Sequence, residues 1–139
     1  MNEMKYKYYG ANLSIKDKNG LSLNDYYDLL SEIWCPYTCA PRLRDNWSKN
    51  NKTLGQCSIT AFLMQDLFGG DVYGIKLKDG NYHCFNVVDG NAFDLTSEQF
   101  NEKLNYENAS IQSRDVHFQK EEKKDRYLYL KNELIKKLK

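Results

Sequence analysis

The chain has no long apolar run. Apolar residues nowhere continue for the ~18 positions that a membrane-spanning helix needs. It has no charge imbalance either: the net charge is +1, so no global field recruits nucleic acid or a membrane surface. Met1 to Tyr9 is charged and aromatic and carries no signal-like apolar region. No internal repeat is present. These absences lead to the expectation of a cytoplasmic protein with four reduced cysteines, no cofactor, and neither nucleic acid nor membrane as partner. A reduced thiol is then free for chemistry.

What is present is a chain of 139 residues, read as a single domain over 1–139 and large enough to bury a core without staples. Eleven Tyr and six Phe imply a core built largely on aromatic rings. Met4 to Tyr9 reads as an edge strand or a docked arm. Ser22 or Asn24 caps a helix whose apolar positions Tyr26, Leu29, Leu30 and Ile33 run on to Trp34, where Cys35-Pro36 ends it. Cys35 to Gly55 is an aperiodic connection of 21 residues, long for a small domain and expected to form one wall of a cleft. Ser58 to Phe68 is apolar almost all round and reads as a buried helix ended by Gly69-Gly70. Asp71 to Lys78, Asn81 to Val88 and Asn91 to Leu95 read as strands, with Asp79-Gly80 and Asp89-Gly90 as turn pairs. Ser97 begins a short helix, Asn101 to Gln119 is irregular, and Glu121 to Lys139 is an amphipathic helix with Tyr127, Leu130, Leu134 and Leu138 on one stripe.

Three chemistry-bearing residues fall in order within 53–100. Cys57 sits in the first turn of the buried helix, where unpaired amides and the dipole favour a thiolate and can stabilise an oxyanion. His83 lies in the second strand and Asp94 in the third. If Asp89-Gly90 is a two-residue loop, paired residues sum to 179 and His83 stands opposite Thr96. Asp94 then shares a face with His83 as a diagonal neighbour, with Cβ atoms roughly 7–8 Å apart. A three-residue loop would reverse the parity and separate them. Nothing in the pairing brings Cys57 to His83; that requires the helix to cross the sheet with its N-terminus at the His83 end. Thiol, imidazole and carboxylate are the parts of an acyl-transfer site.

Gly55-Gln56-Cys57, Ala61, Gly69-Gly70, His83 and Asp94-Leu95-Thr96 resemble the transglutaminase-like core of the papain-like cysteine peptidase superfamily. Gln56-Cys57, Asp66-Leu67-Phe68-Gly69-Gly70, His83, Asp89-Gly90 and Asp94 through Phe100 are similar to the YunG-like family of bacterial proteins, a resemblance that extends to Tyr106-Glu107, Ser113-Arg114 and Arg126-Tyr127-Leu128. The superfamily resemblance implies an α+β fold with the nucleophile at a helix tip packed on a small antiparallel sheet. It implies Cys57 as nucleophile, His83 as base and Asp94 as its orienter, with Gln56 and Trp47 as candidates for the oxyanion partner.

Plainer readings stand beside these. Cys57 is also readable as a small core residue, His83 as a satisfied core imidazole, and Asp94 as a local cap. Cys35 and Cys39, with Cys84 or His117, have the spacing for zinc, a disulfide or free thiols. Cys84 reads as core and His117 as solvated. Lys120 to Lys139 carries eight basic and four acidic residues, read as a solvated face with an apolar docking stripe. The expected function is a thiol-dependent hydrolase or acyltransferase acting on an amide or ester. The alternative is a peptide- or protein-binding module without turnover on the same scaffold.

Overall fold

The computed structural model describes residues 5–139. Helix α1 spans Leu23–Ser31 and starts at Ser22, whose hydroxyl accepts from the Asp25 amide while the Asp25 carboxylate accepts from the Ser22 amide. That reciprocal bond satisfies two of the donors a helix start leaves open. α1 ends at Ser31, short of the expected Trp34, and Leu23, Tyr26, Tyr27 and Leu30 form its buried face. The connection after it is ordered. It contains a 3₁₀ turn at Pro41–Asn46, and the Arg44 guanidinium clamps it by donating to the carbonyls of Pro36 (2.7 Å), Tyr37 (3.1 Å) and Cys39 (3.2 Å).

Helix α2, Cys57–Phe68, is buried continuously from Ser58 to Met64. Two of the polar groups along it are satisfied inside the core. Thr60 Oγ1 accepts from the Trp34 indole at 3.1 Å, and the Ala61 carbonyl accepts from Asn86 Nδ2 at 2.8 Å.

Strands β1 (Asp71–Lys76), β2 (Tyr82–Val88), β3 (Asn91–Phe93) and β4 (Ser110–Ile111) make an antiparallel sheet in the order β3-β2-β1-β4. Asn86 pairs with Phe93, Val87 with Ala92 and Val88 with Asn91, so every pair sums to 179. Asp89 and Gly90 both have positive φ, 50° and 81°, the geometry of the tight two-residue turn that matches strand twist. The first hairpin differs from its expected form. Asp79 Oδ1 accepts from the Asn81 amide, the Gly80 amide donates to Leu77 O, and Leu77 N donates to Asn81 O at 2.7 Å. Three residues, Lys78 to Gly80, are therefore consumed in the loop. Ile75 rather than Lys76 stands opposite His83 and keeps an apolar neighbour beside the ring.

The expected irregular stretch 101–119 contains β4 and the short helix α3, Arg114–His117. Helix α4, Glu121–Leu138, buries Tyr127, Leu130 and Leu134 against the core together with Arg126, while Leu138 is exposed. α2 lies between the sheet and α4. Tyr8 and Tyr9 form a docked arm: Tyr9 pairs with Asp94 in an isolated bridge, and its amide donates to Ser97 Oγ at 2.9 Å. Met4, the first residue of that expected segment, lies outside the described residues. No helix of the described residues is long and apolar enough to cross a membrane.

Candidate active site

The register of the second hairpin decides the site. His83 and Asp94 project from one face, and His83 Nε2 meets Asp94 Oδ2 at 2.6 Å with both side chains only 1% exposed. Asp94 is not a helix cap. Its Oδ1 accepts from the Thr96 amide (3.1 Å) and hydroxyl (3.3 Å), and its Oδ2 accepts from Tyr106 Oη (2.7 Å) as well as the imidazole. Four donors thus fix the carboxylate, and the Phe100 ring meets His83 edge-on at 4.7 Å. Because Asp94 takes Nε2–H, the imidazole presents Nδ1 to any other partner.

That partner is Cys57. β3 pairs with β2 only from Asn86 to Val88, which leaves Tyr82–Phe85 open along that edge. The first residue of α2 comes to this open stretch: Cys57 Sγ lies 3.9 Å from Tyr82 O, and the thiol is near enough to Cys84 and to the His83 ring for both to act on its ionisation. The Cys84 contact and then the His83 ring hold the Cys57 thiol well below the ordinary thiol range, against the opposing effect of burial. Cys84 moves the other way, pushed well up by Cys57 and by its own burial. Burial disfavours a charged His83, but the charge of Asp94, its hydrogen bond and the Cys57 thiol raise the ring to about 10. The combined preference is a thiolate beside an imidazolium.

Around these atoms opens a cleft of about 790 Å³. Ala40, Leu43 and Leu54 from the long connection line it, as its length suggested, together with Phe100, His117 and Lys123. Gly55 sits at the base with φ +69°, where a Cβ would lie 2.5 Å from Cys39 Sγ, so only glycine fits this approach to Cys57.

The two nominated oxyanion partners do not reach the cleft. Trp47 Nε1 donates to Lys52 O at 2.9 Å. Gln56 is fully buried as the N-cap of α2, its Nε2 donating to Cys35 O at 3.3 Å, and it makes no side-chain cap bond. Its Oε1 is buried without a partner. The first-turn amides of α2 remain as the donor group next to Cys57.

Sequence reasoning also missed contributors. Tyr106, His117 and Lys123 lie in segments without periodicity or at a helix start, and no local signal ties them to Cys57. His117 is half-buried rather than fully solvated: its ring lies 5.2 Å from that of Phe62, and burial and then Lys123 bring it down to about 4. All four cysteines are free, and no group of three or more His, Cys, Asp or Glu among the described residues has the arrangement of a metal site.

The family model described as YunG protein matches residues 22–139. The chain is also 30% identical over 79 residues to "Uncharacterized protein YunG" of Bacillus subtilis (strain 168), an alignment that covers 57% of this chain and 64% of the relative. No solved structure matches the chain.

Proposed function

The chain belongs to the YunG family, and we propose that it is a thiol-dependent hydrolase or acyltransferase acting on an amide or ester through Cys57, His83 and Asp94, on a papain-like, transglutaminase-like core. One observation carries this reading: a buried imidazole bonded at 2.6 Å to a carboxylate lines the same cleft as a thiol at a helix tip, and the two act on each other's ionisation. In the proposed mechanism Cys57 gives its proton to His83 Nδ1, and Asp94 holds the ring so that Nδ1 faces the sulfur. The thiolate adds to the carbonyl carbon, and the carbonyl electron pair moves to oxygen, beside the first-turn amides of α2. Collapse breaks the bond to the leaving amine or alcohol, which takes the proton from His83. Water or an acceptor nucleophile then cleaves the resulting thioester. Free cysteines are required, so a reducing cytoplasmic setting belongs to the same proposal.

The test is selective alkylation. With limiting iodoacetamide near neutral pH, mass mapping should place the first label on Cys57, ahead of Cys35, Cys39 and Cys84. Cys39 and Cys84 are both raised, Cys39 chiefly by burial and Cys84 chiefly by Cys57, and both are buried. Equal, slow labelling of all four would overturn the proposal. The absence of Gln56 and Trp47 from the cleft favours one second reading, a binding module without turnover. It is supported if Cys57→Ala leaves binding of a captured peptide intact and no ester or amide in a panel is turned over by the intact protein.

A further inference from the structure

The cleft that Cys57 lines also carries a chain of three side chains that the mechanism does not use. Gln112 Oε1 lies 2.9 Å from His117 Nε2, and His117 Nδ1 lies 2.9 Å from Lys123 Nζ. The carboxamide oxygen can only accept, so His117 carries its proton on Nε2 and offers the Nδ1 lone pair to the ammonium. A protonated ring would oppose the ammonium with a second donor. The ring's depressed proton affinity agrees with this assignment. His117 therefore fixes the position of Lys123 without neutralising it.

The remaining charges of the cleft cancel. Asp79 pairs with Arg42 at 3.6 Å and Glu122 with Arg126 at 2.8 Å. Among the described residues no carboxylate pairs with Lys120 or Lys123, and both line the same cleft as Cys57 and His83. An ammonium has three donors. His117 takes one on Lys123, which leaves two without a partner among the described residues, a number that suits the two oxygens of one carboxylate.

We propose that Lys123, held by His117, is the specificity residue of this site and that its substrates carry a carboxylate close to the carbonyl under attack. The proposal rests on the reading of Cys57 as nucleophile and names what its cleft takes.

The experiment compares two alkylating agents that differ in charge. Iodoacetate places a carboxylate next to the reacting carbon, and iodoacetamide places a neutral amide there. Both rates scale with the thiolate fraction of Cys57, so their ratio is insensitive to a change in thiol acidity and reads charge recognition alone. Lys123→Met, which keeps the aliphatic stem, should lower the iodoacetate-to-iodoacetamide ratio by about fivefold, the range of a partly screened ion pair. Lys123→Arg should restore it, and Lys124→Met on the exposed side of α4 should leave it unchanged. An unchanged ratio in Lys123→Met overturns the proposal. If Cys57 does not alkylate, the nucleophile reading fails, and the anion site is then tested separately in Cys57→Ala. There, glutarate should shift the His117 ring resonances in a Lys123-dependent way; no shift overturns the proposal.

Discussion

Replacing His83 with alanine is expected to slow alkylation of Cys57 at pH 6 by about 30-fold or more. An ordinary thiol with a pKa near 8.5 is only about 0.3% ionised at that pH. Cys57 is held well below its ordinary range by Cys84 and by His83, so a much larger share of it is thiolate there. Losing the ring removes its contribution to that shift and its positive charge. The Cys84 contact and the helix tip remain, and a more basic thiolate is intrinsically more nucleophilic, so the loss is smaller than the change in ionised fraction. The pH profile should change shape as well. The intact protein should react below neutrality and hold a plateau until His83 loses its proton near pH 10. The variant should show a single rise toward the ordinary thiol range. His83→Gln, which keeps a donor for Asp94, should behave the same way if the fold of the alanine variant is in question. Stopped alkylation with mass readout measures both variants.

Asp94→Ala should destabilise the fold by about 3–5 kcal/mol, the cost of removing one member of a buried charge pair. The imidazole, the Tyr106 hydroxyl and the Thr96 amide and hydroxyl all lose their acceptor together. The sign of the pH dependence follows from the ring. A group raised in the folded state stabilises fully below its unfolded value of about 6.5 and loses that contribution as pH rises through its folded value, here about 10. The cost of Asp94→Ala should therefore be greatest below about pH 6.5 and shrink steadily as pH rises toward 10. Asp94→Asn separates orientation from stability. An amide can still accept from Thr96, but its NH2 group faces Nε2 and favours the ring tautomer with the proton on Nδ1. That variant should fold far better than Asp94→Ala yet lose the rapid alkylation of Cys57. Denaturant melts across pH, read alongside alkylation rates, test both statements.

The His83–Asp94 contact was legible because it depends on a local rule. Asp89-Gly90 favours a two-residue turn, that turn fixes the register, and the register fixes which side chains share a face. The buried helix and its Ser22-capped predecessor were legible for the same reason, since composition and spacing decide them within a few residues. Asp79-Gly80 shows how narrow that rule is. The Asp79 carboxylate captures the Asn81 amide, the loop takes one more residue, and the register shifts. Tyr106, His117 and Lys123 were not legible as site residues: the positions of His117 and Lys123 follow from how α3 and α4 pack, and Tyr106 is placed by the rings of Tyr9 and Phe85. The same is true of Trp47 and Gln56, whose side-chain donors are spent on the carbonyls of Lys52 and Cys35. The meeting of Cys57 with His83 needed the direction of α2 across the sheet, which strand pairing leaves open.

The ionisation of one sulfur tests the whole arrangement most directly. Thiolate ultraviolet absorbance, taken as the difference between the intact protein and Cys57→Ala across pH 4 to 10, should show a single step well below the ordinary thiol value of about 8.5. A step at or above that value would mean that no imidazolium stands against Cys57 and would contradict the account.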